Sequence, residues 1–320
     1  MLSRVADNLY WMSRYLERAE HTARLVDVNL NLMLDESASS ADRRWTRVLA
    51  ALGHPPNVLW NGDAYQIAQT LTFDPGTRSS IVACISAARE NARQVREEIS
   101  TEQWQRLNHL FLQVTRYKLR EVEDVIPSDF LLAVMEGAHL FQGVTDSTMS
   151  HGEGWHFIQV GRYIERASAT TTLLDIYQRE FWGQPERTPE ASEYLEWIGL
   201  LRSCTAFEAY CKVYTADLSP DRIIEFILLN PEFPHSVRYS VDCLQVALEA
   251  VHGEGGKRRA SPLTRVAGRL QSSLSFAQIS EILMEDVGSY LQGILRQCHE
   301  IHQMLYELYV NYSIQTALAG

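Results

Sequence analysis

Arg14–Glu20 reads RYLERAE, and Arg162–Ser168 reads RYIERAS. Five of the seven residues are identical, and Leu16/Ile164 exchanges one apolar side chain for another, 148 positions apart. A charged heptapeptide repeated at that distance points to a duplicated unit. Laying Asn8–Val28 over His156–Ile176 pairs Leu9 with Phe157, Met12 with Val160, Ala19 with Ala167, Thr22 with Thr170 and Asp27 with Asp175. Further on, WTRVL from Trp45 matches WIGLL from Trp197 at an offset of 152. LTFDPGTRSSI (Leu71–Ile81) then matches ILLNPEFPHSV (Ile227–Val237) at an offset of 156. The matches run in the same order, and loop insertions account for the drift. One domain over 1–320, built from related halves of about 1–150 and 151–320 with pseudo-twofold symmetry, is the expectation. The junction DSTMSHGEG (Asp146–Gly154) reads as a turn between helices.

The periodicity is helical almost throughout. Leu9, Met12, Leu16, Ala19, Ala23, Val26, Leu30 and Met33 recur at spacings of three and four, an apolar seam on one long helix. Further helices are predicted near 42–53, 63–72, 77–100, 103–122, 129–146, 154–180, 190–215, 220–229, 234–252 and 275–312. Pro127 and Pro220 stand where helices should begin, and Gly53 followed by Pro55-Pro56 marks a stop. Alternating strand patterns are absent. The fold class is all-α, a bundle of about ten helices.

The net charge of −11 argues against a dedicated nucleic-acid or anionic-membrane binder, which would carry a basic surplus. No apolar run approaches the ~20 residues of a membrane span. The N-terminus meets charge too early for a signal peptide. Cys84, Cys204, Cys211, Cys243 and Cys298 are widely spaced and odd in number, as expected for reduced thiols in a cytoplasmic protein.

Glu17 lies off the seam, on the opposite face with Tyr10, Arg14, His21 and Arg24. Three readings of the repeated charges stand side by side. Arg14–Glu17 and Arg162–Glu165 are i,i+3 pairs on solvated faces. Alternatively the two helices meet, with Glu17 facing Arg166 or Arg162 and Glu165 facing Arg18 or Arg14. In the third reading the charges line a cleft, where arginine and glutamate suit the carboxylate and amine of an amino acid.

Tyr15-Leu16-Glu17-Arg18, followed by Ala19–Arg24, resembles the signature of the alpha-E domain family, all-helical proteins with a Glu-Arg motif. Glu90–Trp104, Thr148–Ala167, Leu201–Lys212 and Leu228–Arg238 resemble other stretches of the same family, so the likeness spans the chain. That resemblance implies a circularly permuted ATP-grasp protein as partner, with a transglutaminase-like protein and a protease as further companions. It implies a role in ATP-dependent amide or peptide formation on an amino acid or peptide, with ATP and Mg bound by the partner and no cofactor by this chain alone. It also singles out Arg202, Glu208, Tyr210 and Arg238 as substrate or interface candidates. Asn91 and Arg93, on the helix that also carries Arg96 and Glu97, read either as a surface network or as the wall of a site. An independent helical amidase or transferase is the alternative function.

Other motifs carry less. HGEGGKRR (His252–Arg259) fails the phosphate-loop pattern because no hydroxyl follows Lys257. HEIH (His299–His302) lacks the spacing of a zinc protease helix. Glu136–His139 and Glu249–His252, joined by Glu17 and Glu165, have the count of a carboxylate-bridged di-metal bundle, a minor alternative.

Overall fold

Thirty consecutive residues form the first helix, α1 (Ser3–Leu32), and its seam is buried as the spacing predicts. Part of the opposite face is buried too: Tyr10, Ser13, Glu17 and Glu20 lie inside, while Arg14, His21 and Arg24 are half-buried. The reason is position. α1 is the central rod of the molecule, with helices packed around it rather than on one side. The expected solvated face for Glu17 is therefore absent.

The fold is known from a computed structural model that describes residues 1–33, 38–54, 62–119, 128–181, 191–215, 217–254 and 261–310. These residues form fourteen α-helices and a closing π-helical turn, Tyr306–Val310, with no strand among them. After α1 come α2 (Ala38–Ala51), α3 (Ala64–Phe73), α4 (Ile81–Gln94), α5 (Thr101–Leu119), α6 (Ser128–Thr148) and α7 (Glu153–Phe181). They are followed by α8 (Ala191–Ser203), α9 (Phe207–Tyr214), α10 (Pro220–Leu229), α11 (Val237–Glu254), α12 (Pro262–Phe276), α13 (Ile279–Met284) and α14 (Val287–Leu305). One contiguous apolar core runs from Val5 to Leu305.

The bundle exceeds ten helices because two predicted segments break and one helix was not anticipated. The 190–215 segment splits at Thr205, whose φ of 56° ends α8 before α9 begins. The 275–312 segment splits where Asp286 caps α14 by accepting from the Gly288 N–H. The 77–100 segment shrinks at both ends to α4, since residues 74–80 form a turn and the helix stops at Gln94, leaving Arg96 and Glu97 beyond it. α12 was not anticipated, although Ser261-Pro262 is a start signal: Ser261 accepts from the Thr264 N–H, and Pro262 is the first helical residue. Pro220 and Gly53 behave as expected, the latter at φ 74°. Pro55, Pro56, Pro127, and Lys257, Arg258 and Arg259 lie outside the described residues.

The two stretches matched in sequence, Leu71–Ile81 and Ile227–Val237, form turns with matching hydrogen bonds. The Ser80 hydroxyl donates to the Asp74 carbonyl and caps α4 at the Ala83 N–H. The Ser236 hydroxyl donates to the Asn230 carbonyl and receives the Tyr239 N–H of α11. Asp74 receives the Gly76 N–H and the Thr77 hydroxyl, while Asn230 receives the Glu232 and Phe233 N–H groups. Each turn is tied to its long helix by an equivalent threonine, Thr22 donating to the Ser79 carbonyl and Thr170 to that of His235. α1 packs on α4, and α7 packs on α11 in the same way.

Candidate functional site at the Glu-Arg crossing

The two long helices run side by side in one direction. The Met1 amine reaches Glu153 at 2.7 Å near their starts, and Glu17 reaches Arg166 half-way along. Between these points the backbones nearly touch. A Cβ built on Gly161 would lie 2.3 Å from the Tyr10 carbonyl oxygen and 3.2 Å from the Ser13 Cβ. Ser13 is the residue equivalent to Gly161 in the other repeat, so two small residues at matching positions allow the approach.

That closeness lets each Glu-Arg dipeptide reach the other. Glu17 receives Arg166 Nε at 2.5 Å and Nη2 at 3.0 Å, a two-toothed pair. Both side chains are 4% exposed. The remaining guanidinium nitrogen, Nη1, donates to the Pro234 carbonyl at 3.1 Å, and Gln142 donates to Glu17 Oε2 at 3.2 Å. In the reciprocal contact, Glu165 receives Arg14 Nε and Arg18 Nε, each at 2.6 Å. Burial alone would raise the Glu165 pKa, but Arg14 and Arg18 reverse this and hold it at about 2.

The network extends outward through groups held neutral. Arg14 Nη1 donates to the Tyr10 hydroxyl at 3.0 Å, which lies 2.8 Å from His302 Nδ1 on α14. Burial, then Arg14, lowers His302 to about 4, and burial pushes Tyr10 up to about 12. Arg14 also sits 4.6 Å above the Trp11 ring. One turn further along α1, Glu20 pairs with Arg24 and stands 3.6 Å from His139. Burial opposes its ionisation, but His139 and Arg24 hold it below the usual carboxylate range. Burial lowers His21, and burial with Arg166 lowers His235 far below its ordinary value.

A second crossing joins equivalent positions elsewhere. Arg44 on α2 donates to Glu196 on α8 at 2.8 Å, and the two residues differ by the same 152 positions as Trp45 and Trp197. Arg47 pairs with both Glu196 and Glu180. Sequence reading missed these residues, although opposite charges at matched repeat positions were a usable signal.

The other candidates do not join the crossing. Arg162 forms no ion pair among the described residues; it lies 5.2 Å over the Tyr163 ring, and its buried Nε has no hydrogen-bond partner. Asn91 bonds only to the Ala87 carbonyl of its own helix, and Arg93 pairs with exposed Glu90. Arg202 is exposed over Phe207, and Glu208 is exposed. Tyr210 is buried with its hydroxyl on the Asp217 carbonyl, and Arg238 stands 3.9 Å from Asp242. The di-metal expectation fails on its donors. Glu17 and Glu165 are committed to arginines, while Glu136 and Glu249 are exposed. Among the described residues no group of three His, Cys, Asp or Glu could hold a metal ion.

The molecule is thus an all-helical domain in which two Glu-Arg dipeptides lock onto each other. The family described as a predicted alpha-helical domain with a conserved ER motif matches residues 1–310, and the chain belongs to this Alpha-E family. Uncharacterized proteins of Mycobacterium bovis and Mycobacterium tuberculosis are similar to it, each 26% identical over 277 residues. The match takes in 80% of this chain, and the chain spans 30% of the length of those relatives. No solved structure matches. No helix among the described residues is long and apolar enough to cross a membrane.

Proposed function

We propose that the chain is the helical partner of a circularly permuted ATP-grasp protein in ATP-dependent amide or peptide bond formation on an amino acid or peptide. The setting is the cytoplasm, and ATP and Mg²⁺ belong to the partner. A transglutaminase-like protein and a protease complete the set. The duplicated halves act as one rigid body in this reading.

The observation that supports a partner role best is the internal use of the Glu-Arg charges. Both carboxylates are saturated by arginines of the opposite helix. A general acid or base must instead be free to exchange a proton with substrate near working pH. The family motif therefore serves to fasten α1 to α7. In the longer relatives the matched helices occupy 30% of the chain, an arrangement that suits a module working beside other domains.

The test is reconstitution. With its ATP-grasp partner the chain should form a stable complex and raise amino-acid-dependent ADP release. Alone it should neither hydrolyse ATP nor form amides. Turnover by the purified chain with no partner present would replace this reading with an independent amidase or transferase.

A further inference from the structure

A cleft of about 320 Å³ opens between the end of α6, the first turns of α7 and the middle of α11. Its volume lies at the lower end for small-molecule sites. Its walls combine aromatic rings (Trp155, Tyr163 and Tyr239) with two carboxylates, Asp146 and Asp242. No lysine or arginine lines it. None of these residues pairs with Glu17 or Glu165.

Both carboxylates keep acceptor capacity. Asp146 uses one oxygen, Oδ1, to receive Trp155 Nε1 at 3.2 Å and Gln159 Nε2 at 3.3 Å. Those bonds fix the carboxylate at the rim and leave Oδ2 without a hydrogen bond among the described residues. Asp242 receives Gln271 Nε2 on Oδ1 at 2.9 Å, while its other oxygen has only Arg238 Nε at 3.9 Å. Tyr163 and Tyr239 meet edge to face at 6.3 Å, forming an aromatic wall. Arg162 and Arg166 lie over the Tyr163 ring, so that ring already accepts cations in the folded protein.

We infer that this cleft binds the ammonium end of a small organic amine, its apolar body against the rings and its N–H groups on Asp146 and Asp242. An anion would meet two carboxylates, with neither lysine nor arginine among the lining residues. A neutral alcohol would gain the apolar contact and lose the charge-assisted bonds. The inference deepens the proposed function by giving the acceptor amine a place, and only the fate of that amine rests on that reading.

Cys243 lines the cleft and is half-buried, which supplies a reporter. Cys211, also half-buried but outside the cleft, is the internal control. The chain alone, without ATP or partner, is alkylated with iodoacetamide, and each cysteine is followed by mass spectrometry. The probes are phenethylamine, 2-phenylethanol and phenylacetate. Phenethylamine should slow alkylation of Cys243 and leave Cys211 unchanged, at concentrations at least about tenfold below those needed for the other two. Asp146→Asn and Asp242→Asn, both near-isosteric and at the rim, should each weaken that protection. The inference is overturned if phenethylamine fails to protect, if the alcohol or the acid protects as well, or if both asparagine variants protect like the parent. Because no ATP-grasp protein is present, such a failure leaves the partner reading standing, and a failed reconstitution leaves the cleft standing.

Discussion

Glu165 is a carboxylate between two guanidinium groups, Arg14 and Arg18, and its protonation reports on both. Its folded pKa of about 2 lies below the ordinary 4.5. A depressed carboxylate contributes stability that is fully present above the unfolded pKa and is lost as pH falls through the folded one. The stability gap between the parent and Glu165→Gln should therefore be widest near neutral pH and should close as pH falls from 4.5 towards 2. Urea unfolding of both proteins across that range measures it, and a constant gap would mean that the arginines do not hold the charge. Which charges would be bridged was partly legible in sequence. The repeated heptapeptide allowed Glu17 either Arg162 or Arg166, and helical periodicity could not choose. The structure chooses Arg166, whose Nε and Nη2 both reach Glu17. Tyr10 and His302 were not legible as a pair, since 292 positions separate them and only α14 brings them together.

At the scale of the element, the close approach of α1 to α7 has one testable pivot. Alanine is a better helix former than glycine by about 1 kcal/mol, so Gly→Ala inside a helix ordinarily stabilises. At Gly161 the sign should reverse. The obstructing atom, 2.3 Å from the added Cβ, is a backbone oxygen that no rotamer change can move. Overpacking of this kind costs about 1–3 kcal/mol. Gly143→Ala on α6 is the control, because nothing lies within 4 Å of its Cβ position. Chemical denaturation should find Gly161→Ala less stable than the parent and Gly143→Ala equal or more stable. Equal stabilisation by both would show that the helices are not in contact there. Elements with strong local signals were readable from sequence: the proline start at Pro220 and the stop at Gly53. The capped turns before Ser80 and Ser236 were not, because the predicted helices ran through both positions. The breaks at Thr205 and Asp286 were not, because apolar spacing continues across both, and the left-handed Thr205 and the Asp286 cap interrupt the helix without breaking that spacing.

For the molecule as a whole, the all-helical class and the two related stretches were legible because both depend on patterns within the chain. The burial of Tyr10, Ser13, Glu17 and Glu20 off the apolar seam of α1 was not. An amphipathic pattern reads as one buried and one wet face, and here Glu17 on the charged face is covered by α7, which brings Arg166 against it. Under the function we propose, this reciprocal pairing, rather than a ligand, is the use of the Glu-Arg motif. The direct measurement is a double-mutant cycle on Glu17→Ala and Arg166→Ala, followed by equilibrium unfolding. Each single change leaves a buried charge unpaired and should cost about 3–5 kcal/mol. The double mutant should cost less than the sum, with a coupling of about 2 kcal/mol or more. Additive effects, each below about 1 kcal/mol, are what a solvated surface pair would give, and they would contradict the account.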